Sequence, residues 1–230
     1  MKLYNLIIVG LIFIVSSCSN EELSSTEATN TDSNKSNKIE ATATNESALS
    51  IPDGMYFLTK EKHTISWEAS KVTGSSHSGI MNSEKGKFKV ENGAISSGIL
   101  SLNMNNFEVT DLEGEKKVNF EDHLKSDDFL NVEAFPVATL IMNGSSVDEN
   151  GNMSLSCAFD FHGVVVNYTI PFFVEKIKKD DKKVRYQING QFIIDRTKHN
   201  MTYGSGSFFD DLGDRVINDD VKIGFEFTAI

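Results

Sequence analysis

The stretch VKIGFEFTA at residues 221–229 decides the fold class of this chain. Apolar side chains occupy every second position, and Lys, Gly, Glu and Thr stand between them. A period of two places apolar side chains on one face of a β-strand and polar side chains on the other. Residues 184–194 and 155–161 alternate in the same way. Many such strands at close spacing predict an antiparallel β-barrel or a β-sandwich.

A single stretch, residues 112–126, is typical of a helix, because it is charged and carries isolated apolar residues at Val118 and Leu124. Pro136 lacks an amide hydrogen and blocks a helix, so a strand is expected to resume at 137–142. Turns rich in Asp, Asn, Gly and Lys are predicted between strands at 148–151, 162–163 and 179–182.

The N-terminus predicts an exported protein. Residues 6–15 form an apolar run that is too short to span a bilayer and suits a signal peptide, here 1–17. The run ends in Val15-Ser16-Ser17-Cys18, which resembles the lipobox of bacterial lipoproteins. Cleavage before Cys18 and its acylation would tether the protein to the cell envelope, at either face of the outer membrane. The alternative is an ordinary signal peptide that contains a Cys.

Residues 19–53 are predicted to be a disordered tether that follows the lipidated Cys18. The segment is rich in Ser, Thr, Asn and Glu and lacks aromatic residues, so it offers little surface to bury. As a flexible coil it would hold the domain roughly 30–35 Å from the anchor. Residues 54–230 are then the folded domain, with 15 of the 16 Phe residues.

Composition excludes several classes of function. The net charge of −11 argues against nucleic acid as a partner. Two cysteines, Cys18 and Cys157, cannot build a disulfide framework or a cysteine-based zinc site. The five histidines lack the spacing of a metal motif, and no nucleophile is paired with a base in sequence, so neither a metal nor a catalytic site is predicted. Cys157 alternates with apolar residues and is predicted to be a buried, inert thiol.

Several segments together resemble one protein family. The most specific is HLKSDDFLNVEAFP at residues 123–136. The others, in chain order, are Trp67-x3-Lys71-x2-Gly74, His77-x-Gly79, Gly86-Lys87-Phe88, FDFHGV at 159–164 and IDRT at 194–197. This set resembles the YceI-like polyisoprenoid-binding proteins over residues 64–229. Cys157, Asn200 and the Val-Val-Asn at 165–167 depart from the family pattern and put any transferred ligand in doubt.

The resemblance implies an extended, lipocalin-like antiparallel barrel of eight strands, with one short helix at its side. Eight strands leave an interior just wide enough for one slender ligand. Alternation then assigns a set of inward residues to the wall of the lumen: Trp67, Leu100, Leu102, Met104, Leu140, Met142, Phe159, Phe161, Tyr168, Ile188, Phe192, Phe225 and Phe227. The alternative is that these residues fill a dry core, because alternation indicates an inward face and not a cavity.

His77, His123 and Arg196 are candidates for binding the head group of a ligand, with structural hydrogen bonds as the alternative for each. The expected function is non-catalytic binding, transport or storage of a polyisoprenoid or similar long-chain amphiphilic lipid, without a cofactor. The expected partners are this lipid and, through the acylated N-terminus, a membrane, and a homodimer is one option for assembly. The other hypotheses are an enzyme that acts on such a lipid and a structural surface lipoprotein with a filled barrel.

Overall fold

A computed structural model of the chain describes Leu49, residues 51–178 and residues 184–230. The described residues belong to one compact unit that begins at residue 44. The predictions for the signal peptide, Cys18, most of the tether and the turn at 179–182 lie outside the described residues.

The described residues form one α-helix, three short 3-10 turns and ten strands. The helix α1 is Gly114–Lys125, and the 3-10 turns are Met104–Asn106, Arg196–His199 and Gly213–Arg215. The strands are β1 (Gly54–Ser70), β2 (Ser76–Met81), β3 (Ser83–Glu91), β4 (Ala94–Asn103), β5 (Glu108–Val109), β6 (Val137–Val147), β7 (Met153–Phe161), β8 (Val164–Lys178), β9 (Val184–Asp195) and β10 (Asp220–Ala229).

The strands close into an eight-stranded antiparallel barrel. The N-terminal part of β1 pairs with β3 and its C-terminal part pairs with β2, so β2 and β3 act as one barrel strand interrupted at Asn82. From there the order runs through β4, β6, β7, β8, β9 and β10, and β10 pairs back onto β1. The short β5 pairs antiparallel with β2, on the side of β2 that does not face β1. The predicted barrel is therefore confirmed, and the sandwich is not formed.

The decisive stretch at 221–229 lies in β10, which pairs with β9 on one side and β1 on the other. The predicted helix is confirmed at Gly114–Lys125. At the predicted turn 162–163, His162 and Gly163 both have positive φ, 53° and 73°. Two positive φ values give the turn a twist that matches the flanking strands, and this produces the tight hairpin of β7 and β8.

The last residues of the predicted tether pack on the barrel instead of extending from it. Leu49 and Ile51 are buried, and the Leu49 amide donates to the Gly93 carbonyl at 2.7 Å. The Asp53 carboxylate accepts the amides of Asn92 and Gly93 in the β3–β4 turn. The average composition of residues 19–53 is polar, and it gives no indication of the two aliphatic residues at the end of the segment that reach the core. The folded domain therefore begins before residue 54.

Removing residues 44–53 from the 44–230 fragment is expected to lower the free energy of unfolding by about 3–6 kcal/mol, because two buried aliphatic side chains are lost. Urea unfolding of both fragments measures the difference. The double substitution Leu49→Ala and Ile51→Ala in the longer fragment should reproduce most of the loss. Equal stability of the two fragments would show that this segment contributes nothing to the core.

Candidate binding cavity

The barrel encloses an apolar cavity of about 160 Å³. Its lining comes from every strand of the ring and from the segment around the end of α1, and Arg196 is the charged residue among the lining residues that the structure describes. Inward positions at i, i+2 and i+4 of each strand produce this wall, as the alternation requires. The interior is therefore not completely filled by its own side chains.

Most of the predicted wall lines this cavity. Eleven of the thirteen residues do so: Trp67, Leu100, Leu102, Leu140, Met142, Phe159, Phe161, Ile188, Phe192, Phe225 and Phe227. All lie on strands, in stretches where inward and outward residues alternate. At these positions the inward face that the alternation predicts is the face that borders the cavity.

Met104 and Tyr168 were predicted in the wall and do not line the cavity. Strand β4 ends at Asn103, and Met104 starts a 3-10 turn, so the alternation that included it stops one residue earlier. Met104 is buried outside the cavity lining, 1% exposed. Tyr168 has the inward parity of β8, but its hydroxyl hydrogen-bonds His199 Nε2 at 2.9 Å and its ring stacks on that imidazole.

Sequence reasoning missed a second part of the wall. Phe107 follows a turn, and Leu124, Phe129 and Leu130 belong to α1 or to the turns after it, where a period of two gives no signal. The predicted helix offered one usable indication, because Leu124 is an isolated apolar residue in a charged segment. Two further lining residues that were missed, Met201 and Ile217, lie on loops. The others lie on strands: Leu58, Ile65, Ala69, Met81, Phe88, Ile95, Leu155, Ile170, Phe172, Ile194, Val221 and Ile223.

Aromatic residues close the end of the barrel where β1 begins. The Tyr56 ring stacks on Phe88 with centroids 5.3 Å apart and meets the edge of Tyr186 at 5.7 Å. The Tyr56 hydroxyl donates to the Pro52 carbonyl at 2.8 Å, which joins the buried N-terminal segment to this end. At the opposite end, the residues that follow α1 supply the lining.

Arg196 is held by the backbone and has no spare donor for a head group. Its Nε donates to the Asn218 carbonyl, and Nη1 donates to the carbonyls of Met201 and Tyr203 at 2.7 and 2.9 Å. Nη2 donates to the Ile217 carbonyl at 3.0 Å and to Asp219 Oδ1 at 3.4 Å. A guanidinium carries five N–H groups, and five bonds are present. These bonds give Arg196 a structural role in holding together the loops that follow β9, and its role in binding a head group stays a prediction.

His77 and His123 are bonded to carboxylates outside the cavity lining. His77 Nδ1 lies 2.8 Å from Asp111 Oδ2 and its ring contacts Phe120, while His123 Nε2 lies 2.9 Å from Asp128 Oδ2. Both side chains are about 40% exposed. The cavity therefore does not bring the three head-group candidates together, and the structural alternative describes each of them.

The polar groups buried beside the cavity are held in unreactive forms. Burial raises the pKa of the Cys157 thiol to about 11, so it stays protonated, as the sequence predicts. Burial also raises the pKa of the Tyr168 phenol to about 12. His199 is fully buried, its Nδ1 lies 3.1 Å from the carbonyls of Phe161 and Val164, and its Nε2 accepts from Tyr168. Because carbonyls only accept, His199 carries a proton on Nδ1, and burial, which lowers its pKa, favours the neutral ring with Nε2 as an acceptor.

Burial lowers the pKa of His199, and also that of His63. The unfolded chain then binds a proton more readily than the folded chain, so the free energy of unfolding should fall as the pH falls below about 6.5. Urea unfolding between roughly pH 5 and pH 8 measures this slope. His199→Gln is expected to reduce the slope at some cost in stability, and His63→Gln to remove a further part. A slope that neither substitution changes would contradict this assignment.

Among the residues that the structure describes, no helix is both long enough and apolar enough to cross a membrane. The same residues contain no group of three or more His, Cys, Asp or Glu side chains that could hold a metal ion.

Comparison with known proteins identifies a family that matches this barrel. The YceI-like domain family matches residues 56–229, about three quarters of the chain. A UPF0312 protein of Shewanella denitrificans is 30% identical over 113 residues, which is 49% of this chain and 57% of that protein. The aligned region thus spans little more than half of that relative.

Two solved structures share the fold at low identity. BcnA of Burkholderia cenocepacia is 16% identical with a TM-score of 0.57, and the match covers 75% of this chain and 99% of that one. A polyisoprenoid binding domain from Saccharophagus degradans is 15% identical with a TM-score of 0.51, covering 76% and 97%. With the closed barrel, its interior cavity and the match over 56–229, the chain belongs to the YceI-like domain family.

Proposed function

We propose that this protein binds a polyisoprenoid or similar long-chain amphiphilic lipid inside the barrel and carries or stores it without chemical change. The apolar cavity is the observation that carries the proposal. Arg196, the charged residue in the described part of the lining, has its donors occupied by carbonyls and Asp219, so the interior offers apolar contact to a ligand.

The character of the wall favours a slender, flexible chain. An engineered apolar cavity of about 150 Å³ stays dry and accepts a ligand as small as benzene, so a cavity of similar size suits hydrocarbon better than water. Met81, Met142 and Met201 line this cavity and give it a polarizable, adaptable surface. Such side chains can shift as a chain enters, while a head group remains at an end of the barrel.

The state of the polar groups favours binding over catalysis. The thiol of Cys157 and the phenol of Tyr168 are far less acidic than usual, and neither lines the cavity. The His77–Asp111 and His123–Asp128 pairs also lie outside the lining. A carrier needs none of these groups, whereas an enzyme would need an activated group beside the ligand.

The family match supports an isoprenoid as the chain. The Saccharophagus degradans relative is described as a polyisoprenoid binding domain, and its fold is shared over most of both chains. Isoprenoid chains are branched hydrocarbons, and a wall of Leu, Ile, Phe and Met side chains offers contact along their length.

Organic extraction of the purified protein, followed by mass spectrometry, tests the proposal. A stoichiometric long-chain lipid is the expected result. Incubation of the protein with that lipid then distinguishes a carrier, which returns it unchanged, from an enzyme, which returns a product. Purified protein that holds no lipid and takes up none would favour a structural role and contradict the proposal.

We also propose that the mature protein is a lipoprotein of the outer membrane, anchored through acylated Cys18. The lipobox-like Val15-Ser16-Ser17-Cys18 supports this location. Cys18→Ser is expected to move nearly all of the protein from the membrane fraction to the soluble fraction, because stable anchoring takes two acyl chains. Fractionation of cells followed by immunoblotting measures the change. A Ser variant that stays with the membrane would contradict acylation as the anchor.

A further inference from the structure

One side of the outer barrel surface carries a row of apolar side chains that a single lysine, Lys87, interrupts. Phe57 and Ile230 exchange two backbone hydrogen bonds, and Phe57 pairs with Lys87 across β1 and β3. The same register continues from Lys87 to Ile99 in β4 and to Ile141 in β6. Directly paired residues in an antiparallel sheet point to the same face. With about 4.8 Å between strands, the row is roughly 19 Å long.

These side chains are accessible to solvent. Phe57 is 54% exposed, Ile230 53%, Ile141 47% and Ile99 39%. Met55, two residues before Phe57 on the same face of β1, is 49% exposed. We call Met55, Phe57, Ile99, Ile141 and Ile230 the outer apolar row. Single exposed apolar residues are ordinary on a protein surface, but a contiguous set marks a contact site.

Lysines border and interrupt this row. Lys85, Lys87 and Lys89 occupy successive outward positions of β3, and Lys89 forms an ion pair with Glu91. The chain as a whole has a net charge of −11, so the three lysines of β3 form a locally positive strip on a negatively charged protein. Large apolar side chains mixed with lysines are the combination by which proteins bind the interface of an anionic bilayer.

Leu49, the first residue that the structure describes, contacts the turn between two strands of this face. The Leu49 amide is bonded to Gly93, in the turn that joins β3 to β4; β4 contributes Ile99 to the row, and β3 contributes the lysines beside it. Forty-eight residues precede Leu49. The first residue that the structure describes therefore contacts the same pair of strands that carries Ile99 and the lysines of β3.

We propose that the outer apolar row and the lysines of β3 form a docking surface for an anionic lipid bilayer. The apolar side chains would enter the interface while the lysines contact lipid phosphates. The proposal does not depend on what the cavity holds, because all of these side chains point away from it. A second copy of this chain fits less well, since a symmetric contact would bring the lysines of β3 close to one another.

Vesicle flotation of the 44–230 fragment tests this surface without the signal peptide or Cys18. The fragment is expected to bind vesicles of phosphatidylglycerol and phosphatidylethanolamine and to bind vesicles of phosphatidylcholine alone more weakly. The double variant Phe57→Ser and Ile141→Ser should weaken binding about tenfold or more, which corresponds to ~1.4 kcal/mol. Lys85→Gln with Lys87→Gln should weaken it mainly on the anionic vesicles.

A matched control uses apolar residues elsewhere on the outer wall. Phe173 and Ile193 are 60% and 57% exposed and lie outside the row, so Phe173→Ser with Ile193→Ser should leave vesicle binding unchanged. Thermal unfolding of every variant checks that it remains folded. Three results would overturn the proposal: no vesicle binding by the parent fragment, equal losses in row and control variants, or a dimer of the parent fragment that the row variant disrupts.

Discussion

Replacing Leu102 with Trp is expected to weaken binding of a polyprenyl lipid about tenfold or more, equivalent to ~1.4 kcal/mol. Leu102 is 4% exposed and lines the cavity, and its partners across the sheet are Ser83 and the small Ala138. The indole can therefore extend into space that the ligand would occupy. Because that space is open in the unliganded protein, the free energy of unfolding should change by less than the ~1–3 kcal/mol typical of overpacking.

Met104→Trp is the matched control for this experiment. Met104 lies two residues further along, is equally buried and does not line the cavity. The same ring at this position overpacks a filled region, so stability should fall by ~1–3 kcal/mol while the folded protein still binds lipid. Lipid content by mass spectrometry and urea unfolding are measured for both variants.

The opposite pattern would contradict the binding function of the cavity. If Leu102→Trp retained its lipid and lost stability as Met104→Trp does, the space beside Leu102 would be part of a core and not a ligand site. Loss of lipid from both variants in proportion to their loss of stability would mean that binding depends only on the folded fraction.

The fold could be predicted because apolar and polar residues alternate along much of each long strand, although register shifts interrupt the pairing of β1, of β3 with β4, and of β6 with β7. Residues 221–229 carry apolar side chains at every second position, and β10 forms there with that face turned inward. Closure into a ring depends on the register of β10 with β1, two strands from opposite ends of the domain. A local pattern contains no information about that pairing, so the barrel was distinguished from a sandwich only by the resemblance of several segments to a family.

The wall was predictable on strands and not at their ends. Leu102 and Met104 look equivalent in sequence, but the strand ends between them and only Leu102 lines the cavity. Whether the interior is open also depends on small residues. A Cβ added at Gly190 would lie 2.6 Å from the Phe225 ring, so this glycine gives that ring its place in the wall. Such close approaches between strands do not show in the alternation.

Arg196 illustrates the limit of reasoning from residue type. An arginine at the end of a strand suits an anionic head group, and the sequence gives no sign that backbone carbonyls will take up its donors. Four carbonyls from two different loops converge on it, from residues 201 and 203 on one side and 217 and 218 on the other. Arg196 is 3% exposed. Its guanidinium donates to loop carbonyls that would bond to a neighbouring strand if they were part of a sheet.

Replacing Arg196 with Met is therefore expected to cost about 3–5 kcal/mol of unfolding free energy. The substitution removes the donors of four buried or half-buried carbonyls and leaves Asp219 without its cationic partner. Arg196→Lys should also destabilise, though less, because an ammonium group has three donors and cannot reach both loops at once. Urea unfolding measures both variants against the parent 44–230 fragment.

A nearby exposed arginine provides the control. Arg215 lies in the 3-10 turn Gly213–Arg215, and its side chain makes one long bond, from Nε to the Leu212 carbonyl at 3.4 Å. Arg215→Met should change stability by no more than about 0.5 kcal/mol, as at most surface positions.

Lipid binding separates the structural role of Arg196 from recognition of a head group. If Arg196→Met left stability intact and abolished binding of lipids with an anionic head group, the guanidinium would be a ligand-binding group after all. Because its five donors are already bonded within the protein, we expect the loss of stability, and unchanged lipid binding by the molecules that remain folded.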